Sequence, residues 1–324
     1  MTATKPHCAD APTSTSWENR FRSLIIGQDL GEIIDTVKIF KAGFSPEGRP
    51  PGVFLLTGPT GSGKTRTVEA LADALHGSEK HLLRIDCGEF QMEHEVAKLI
   101  GAPPGYIGHR ETQPILTQQK LLAVTSGKCA ISIVLFDEIE KAAPSMHRIM
   151  LGIMDMATLR LGDGNTVNFE RTLIFMTSNL GAREISALSK PLGFAMCAGA
   201  SGGDIRRITK SASGRMFSPE FMNRIDSVLS YRALTRSDLL TILDMEMKRA
   251  FTNKSFLVSV SDAARGKIID NSMSDSSGAR EVRREIQRRI TRPMAKAALS
   301  SGATFGSFSV DLDASGEIAV TQQG

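Results

Sequence analysis

The sequence predicts an α/β fold, a mostly parallel sheet with flanking helices, followed by a small, mainly helical C-terminal domain with short closing strands. Three observations carry this. From Gly52 onward short β-type runs alternate with helical patterns, the arrangement that builds parallel sheets. A glycine-rich loop joins the first of those runs directly to the first helical pattern. After Tyr231 the composition turns to helical periodicity and closes on two alternating runs.

Taken in order, residues 1–20 begin with Thr, Ser, Pro and Ala and read as a disordered lead, without the basic and then apolar stretches of a secretory signal. Strands are expected at Val53–Thr57, Leu82–Asp86, Ile131–Asp137, Leu173–Ser178 and Ser227–Tyr231. Helical spacing runs over Lys64–Leu75, Glu93–Ile100, Leu116–Ser126 and Pro144–Met156, the last opening on a proline suited to a first turn. Gly162-Asp163-Gly164-Asn165, between apolar residues, predicts a hairpin over Leu159–Phe169. Gly199–Gly203 reads as a flexible loop. The large domain is therefore expected over residues 21–232 and the small one over 233–324. In the small domain, helices are expected at Asp238–Phe251, Asp262–Asn271 and Ala279–Ile290. On the last, Val282, Ile286 and Ile290 make a core stripe beside a basic one of Arg280, Arg284 and Arg288, and Pro293 should interrupt it. Phe308, Val310 and Leu312, then Ile318 and Val320, predict two strands around Ala314-Ser315-Gly316. No internal repeat is present, which excludes solenoids and propellers.

The 324 residues fit about two domains. Apolar residues are 41% and charged ones 23%, close to globular averages, which excludes wholesale disorder. No apolar run approaches the roughly 18 residues of a membrane helix. Cys8, Cys87, Cys129 and Cys197 are scattered with no paired spacing, so reduced thiols in a cytoplasmic protein are expected. Thirty-nine basic against 35 acidic side chains leave +4, too little to argue nucleic acid. Arg265–Lys296 holds nine basic and four acidic residues, +5, so the remainder of the chain carries −1.

The loop after the first strand, Gly58-Pro59-Thr60-Gly61-Ser62-Gly63-Lys64-Thr65, fits the phosphate loop G-x-x-x-x-G-K-[S/T] in full. The strand before it and the helix after it point backbone N–H groups and the positive helix end at a polyphosphate, with Lys64 reaching terminal phosphates and Thr65 holding magnesium. Ile133–Glu138 is an apolar strand ending in two carboxylates. Beside a phosphate loop, Asp137 is assigned to Mg²⁺ and Glu138 to the attacking water, a second carboxylate being what a hydrolase needs. Leu173–Ser178 ends at Asn179, whose amide could bond a γ-phosphate or the water, or cap a helix beginning near Gly181.

These pieces in this order resemble an AAA+ ATPase, and the detailed wording resembles the second ATPase module of the Clp proteins ClpA, ClpB and ClpC. The likeness runs from about Ile25 to Gly302: Ile25-Ile26-Gly27-Gln28, Arg84-Ile85-Asp86, Gly101–Gly108, Phe136–Ala142, Thr177–Gly181, Pro219–Asp226 and Gly278-Ala279-Arg280. It implies that Ile25 and Ile26 line an adenine pocket, that Asn179 is a first sensor, and that Arg280 is a second sensor in the small domain. It also implies that Arg224 is an arginine finger for a neighbouring subunit's site, which requires a ring and hence a homo-hexamer. A guanidinium suits both places, since its planar donor fork meets phosphate oxygens. Tyr106 and Ile107, within Gly105–Gly108, resemble a pore loop that grips polypeptide, although His109–Pro114 departs from the family's usual Tyr-Glu-Glu-Gly-Gly. Leu192-Gly193-Phe194 sits where ClpA and ClpC carry a loop that docks a ClpP peptidase.

The expectation is a single-module Clp-type ATPase using ATP and Mg²⁺ to unfold or disaggregate proteins threaded through a hexameric pore, with a possible ClpP-like peptidase as partner and neither membrane nor nucleic acid. An N-terminal substrate-binding domain and a first ATPase module are not expected in it. The alternative is an AAA+ ATPase that remodels one partner complex, or a nucleic-acid complex, without threading.

Overall fold

The computed structural model describes residues 14–101, 114–181, 211–252, 256–274, 278–302 and 305–323. It divides into two compact units, Met1–Pro59 with Lys64–Tyr231, and Arg232–Gly324 with Thr60–Gly63.

In the first unit, helices α1 (Ser14–Leu24) and α2 (Gly31–Lys41) precede β1 (Gly52–Thr57), and α3 (Lys64–His76) leads to β2 (Leu83–Asp86). Two short helices, α4 (Ala97–Ile100) and α5 (Gln118–Ala123), come before β3 (Ser132–Asp137) and α6 (Pro144–Met156). The hairpin β4 (Thr158–Arg160) and β5 (Thr166–Asn168) follows, then β6 (Thr172–Ser178), α7 (Pro219–Asn223) and β7 (Ser227–Ser230). The five long-range strands form one parallel sheet in the order β2-β3-β6-β1-β7.

Every residue of β1, β3 and β6 is buried, as expected of central strands covered on both faces. Alternation divides their side chains between two cores. Val53, Leu55, Val134, Phe136, Ile174 and Met176 face the layer that contains α6. Phe54, Leu56, Ile133, Leu135, Leu173 and Phe175 face the layer that contains α1, α2 and α3. The expected disordered lead of residues 1–20 needs correction: the chain is helical from Ser14, because Trp17 and Phe21, one turn apart, are both buried in the second of these cores.

The second unit contains α8 (Arg236–Phe251), β8 (Phe256–Val260), α9 (Asp262–Ser274), α10 (Ala279–Glu285), α11 (Arg292–Ser301), β9 (Gly306–Leu312) and β10 (Ile318–Gln323). Its sheet runs β10-β9-β8, with β8 parallel to β9 and β10 antiparallel. The two closing strands were expected and β8 was not. Val282, Ile286 and Ile290 are buried as the core stripe, continued by Met294. Pro293 does not interrupt the helix: a π turn over Ile286–Thr291 carries α10 into α11, and its wider backbone ring accommodates a residue without an N–H. The basic stripe is largely neutralised in place, Arg284 pairing with Glu281 at 3.2 Å and Arg288 with the buried Glu285. Among the described residues no helix is long and apolar enough to cross a membrane.

Candidate functional site

The register of three adjacent strands gathers the chemistry. Thr57 of β1 lies beside Ser178 of β6, and Phe136 of β3 beside Met176, so Gly58, Asn179 and the Asp137-Glu138 pair all emerge at the carboxyl ends of neighbouring strands. In parallel α/β sheets this edge is where ligands bind. The loop from Gly58 to Gly63 needs its glycines: Gly58 has φ +138° and Gly63 φ +100°, and a Cβ on Gly58 would lie 2.4 Å from the Tyr231 carbonyl oxygen. Tyr231 is itself fixed, its N–H donating to Thr57 O at 2.7 Å and its hydroxyl to Thr67 Oγ1 at 2.9 Å.

Lys64 opens α3 and is buried, with Nζ donating to Gly58 O at 2.7 Å, Pro59 O at 2.8 Å and Asn179 Oδ1 at 3.0 Å. The hydroxyl of Thr65 donates to Asp137 Oδ1 at 3.4 Å. Asp137 also accepts from the hydroxyl of buried Thr177 and from Arg84, which projects from β2 next door. Glu138 has left-handed backbone angles, φ 57° and ψ 50°, and its N–H donates to Thr177 Oγ1 at 3.0 Å. The Glu138 carboxylate takes Lys141 Nζ at 2.5 Å and Asn179 Nδ2 at 3.4 Å, while the Asn179 N–H donates to Glu140 at 3.0 Å. Both polar atoms of the Asn179 side chain are therefore engaged within the site.

Burial and the nearby carboxylates shift two groups at this edge. Burial first, and then Asp137, Asp86, Glu140 and Glu138, push the Cys87 thiol well above its ordinary range, so it is inert. The hydrogen bond to Glu138 holds the Lys141 ammonium above its usual value, with smaller contributions from the charges of Glu138, Glu140 and Asp86. A hydroxyl and a carboxylate oxygen side by side are donors of the kind hard divalent cations take. Thr65 and Asp137 therefore fit Mg²⁺. Among the described residues no three His, Cys, Asp or Glu side chains form a metal cage, so such an ion would draw its other ligands from phosphate and water.

Five expected residues, Lys64, Thr65, Asp137, Glu138 and Asn179, are thus brought together. Ile25 is buried against the α1–α3 layer and Ile26 is half-buried beside it. Arg224 lies elsewhere. Asp226, two residues on, accepts from Val53 N at 2.8 Å and donates its own N–H to Val53 O at 3.0 Å, which places this segment at the start of β1. The loop begins at the other end, about 17 Å along the strand. Arg280 belongs to the second unit, is exposed, and forms no ion pair among the described residues. Tyr106 and Ile107, and Leu192, Gly193 and Phe194, lie outside the described residues. Arg84, Thr177 and Lys141 had not been assigned roles from the sequence. A hydroxyl residue next to a strand's carboxyl end is the signal that could have found Thr177, whereas Arg84 stands inside β2 and carries no such mark.

The AAA domain (Cdc48 subfamily) family matches residues 49–228, and the C-terminal D2-small domain of ClpB matches residues 234–307. The chloroplastic ClpA homolog CD4B of Solanum lycopersicum, an ATP-dependent Clp protease ATP-binding subunit, is 34% identical over 312 residues, 94% of this chain and 33% of its own. Chaperone protein ClpB of Rhizobium meliloti is 34% identical over 295 residues, 90% of this chain and 32% of its own. The chain spans about a third of the length of the curated relatives it matches. Among solved structures, a closed-state cryo-EM reconstruction of Hsp104 with ATPγS and FITC casein superposes with a TM-score of 0.78 at 26% identity, covering 95% of this chain and 52% of that one.

Proposed function

Given that this chain belongs to the AAA domain family and carries a small domain of the ClpB type behind it, we propose that it is a Clp-type ATPase that hydrolyses ATP with Mg²⁺ to unfold or disaggregate polypeptide threaded through a homo-hexameric ring. The observation that carries this is the convergence of Lys64, Thr65, Asp137, Glu138 and Asn179 at one edge of three adjacent parallel strands.

Mg²⁺·ATP supplies the phosphoryl bond to be cleaved; the rest falls to the chain's own groups. Lys64 exchanges its two carbonyl partners for phosphate oxygens, a gain for an ammonium. The backbone N–H groups from Gly58 to Gly63, with Pro59 shaping the turn and Thr60, Gly61 and Ser62 at its crest, cradle the phosphates. Thr65 and Asp137 hold the cation, and Glu138, held by its left-handed turn, takes a proton from the attacking water. Asn179 orients that water, Ile25 and Ile26 flank the base, and Arg280 contacts the γ-phosphate. Arg224, at the opposite end of β1 from its own loop, is out of reach of its own phosphates and serves a neighbouring subunit's site, which supports the ring. Tyr106 and Ile107 grip polypeptide in the pore, and Leu192, Gly193 and Phe194 dock a ClpP-like peptidase, which co-sedimentation with such a peptidase in ATP would test. A cytoplasmic location completes the reading.

The test uses a tagged fluorescent protein as substrate. Tyr106→Ala should retain ATP hydrolysis and lose unfolding. Unfolding that survives Tyr106→Ala refutes threading by this loop, and ATP turnover that survives Glu138→Gln refutes the hydrolytic site.

A further inference from the structure

Arg224 does not stand alone on the edge where it is found. Its guanidinium meets Asp155 Oδ1 at 3.3 Å, and the nearest nitrogen is Nε, so the carboxylate sits on one side of the guanidinium, whose far edge takes no other ion pair among the described residues. Both side chains are partly exposed, 38% and 45%. An exposed pair of this kind adds little to stability. Its consequence is orientation.

The two partners rise from one rigid platform. Arg224 caps α7, its N–H donating to Phe221 O at 3.2 Å. Phe221 is buried and stacks on Phe217 at 5.2 Å, and both rings pack on His147 of α6, at 5.3 and 5.5 Å. Asp155 stands near the end of that same helix, which stops at Ala157 in the left-handed region. His147 Nε2 also lies 3.2 Å from Ile139 O, in the turn that follows Glu138. A long, flexible arginine thus has its base fixed by an aromatic cluster and the Nε side of its guanidinium met by a carboxylate.

We propose that Asp155 is a positioning residue for Arg224: it holds the Nε side so that the free edge of the guanidinium is presented to the phosphates of a neighbouring subunit. This rests on the reading of Arg224 as a group supplied in trans. Without Asp155 the arginine samples many rotamers, and the entropy of ordering it must be met at each catalytic encounter.

The experiment separates the two claims by mixing chains. Glu138→Gln subunits keep the finger and lose their own site, while Arg224→Ala subunits keep the site and lose the finger; each alone is expected to turn over poorly. Mixed, they should recover ATP turnover where an Arg224→Ala site meets a finger from its neighbour. Adding Asp155→Asn to the Glu138→Gln chain should lower the recovered kcat about five-fold at unchanged KM and unchanged melting temperature, with Asp155→Glu restoring at least about half. Adding it to the Arg224→Ala chain, where no guanidinium remains to orient, should leave the recovered rate as it was. No recovery in the simple mixture overturns the trans reading of Arg224. Recovery that Asp155→Asn on the finger donor leaves intact overturns the proposal, as does an equal loss from either chain or a loss that follows a lowered melting temperature.

Discussion

Thr177 is the residue on which the arrangement of the two acids depends, and replacing it by valine tests that dependence at nearly constant shape. Its hydroxyl is buried, donates to Asp137 Oδ1, and accepts the Glu138 N–H at 3.0 Å. Valine fills the same volume but removes both bonds, leaving one charged acceptor short of a donor and one N–H short of an acceptor. A hydrogen bond to a charged group contributes about 1.5–3 kcal/mol and an orphaned N–H costs about 1–3 kcal/mol, so allowing for overlap the loss is about 3 kcal/mol. Thr177→Ser keeps the hydroxyl and gives up one methyl, about 1 kcal/mol. At about 2–4 °C per kcal/mol for a unit of this size, valine should lower the melting temperature by about 6–12 °C and serine by about 2–4 °C. Trp17 is the one tryptophan of the chain and is buried in the large unit, so its fluorescence reports that unit's unfolding. Glu138 also loses the anchor of its left-handed turn, and ATP turnover should fall about ten- to hundred-fold. A valine variant that melts with or above the serine variant refutes the reasoning.

Gly58→Ala would drive a methyl against the Tyr231 carbonyl at 2.4 Å, in a backbone region alanine resists; nucleotide affinity in a calorimetric titration should fall at least about a hundred-fold, the phosphate loop being unable to keep its shape. His76 is buried and, chiefly by that burial with help from His81 and Lys41, has its pKa lowered from 6.5 to about 4. The unfolded chain therefore binds this proton before the folded one does. Stability from His76 is complete above pH 6.5 and is lost as the pH falls towards 4, by about 1–2 kcal/mol at pH 5 after solvent screening is allowed for. Melting followed by Trp17 fluorescence should decline more steeply from pH 7 to 5 in the parent than in His76→Gln.

The site was legible where its chemistry is written in consecutive residues. Gly58–Thr65 and Asp137-Glu138 need only their own strand and loop to be recognised, and the structure brings them together. Their partners were not legible, because partnership is set by strand order. Thr177 meets Asp137 only because β6 lies beside β3, and Arg84 does so only because β2 lies on β3's other side, 53 residues away in sequence. Asp155 and Arg224 are likewise joined by a helix packing that no spacing announces. At the N-terminus the polar composition of the first residues outweighed the Trp17–Phe21 pair, whose one-turn spacing marked a buried helix face.

The small domain shows how a correct pattern can carry a wrong weight. Its apolar stripe was read from spacing and is buried as expected, but the arginines beside it were counted as free charge. Counting could not show that Glu281 and Glu285, one turn away, were placed to meet them. Glu285 is 1% exposed and takes Arg288, Arg289 at 3.8 Å and the Asn271 amide at 3.2 Å, so its charge is bound up in the interior edge of the helix. Arg283 is turned to Glu246 at 2.8 Å, and Arg289 also to Glu317 at 3.0 Å. A groove for nucleic acid would need these guanidinium groups available to phosphates along one face, and four of them are already committed to carboxylates. Arg280, Arg292 and Lys296 are left exposed with no ion pair among the described residues, three charges where counting alone gave nine.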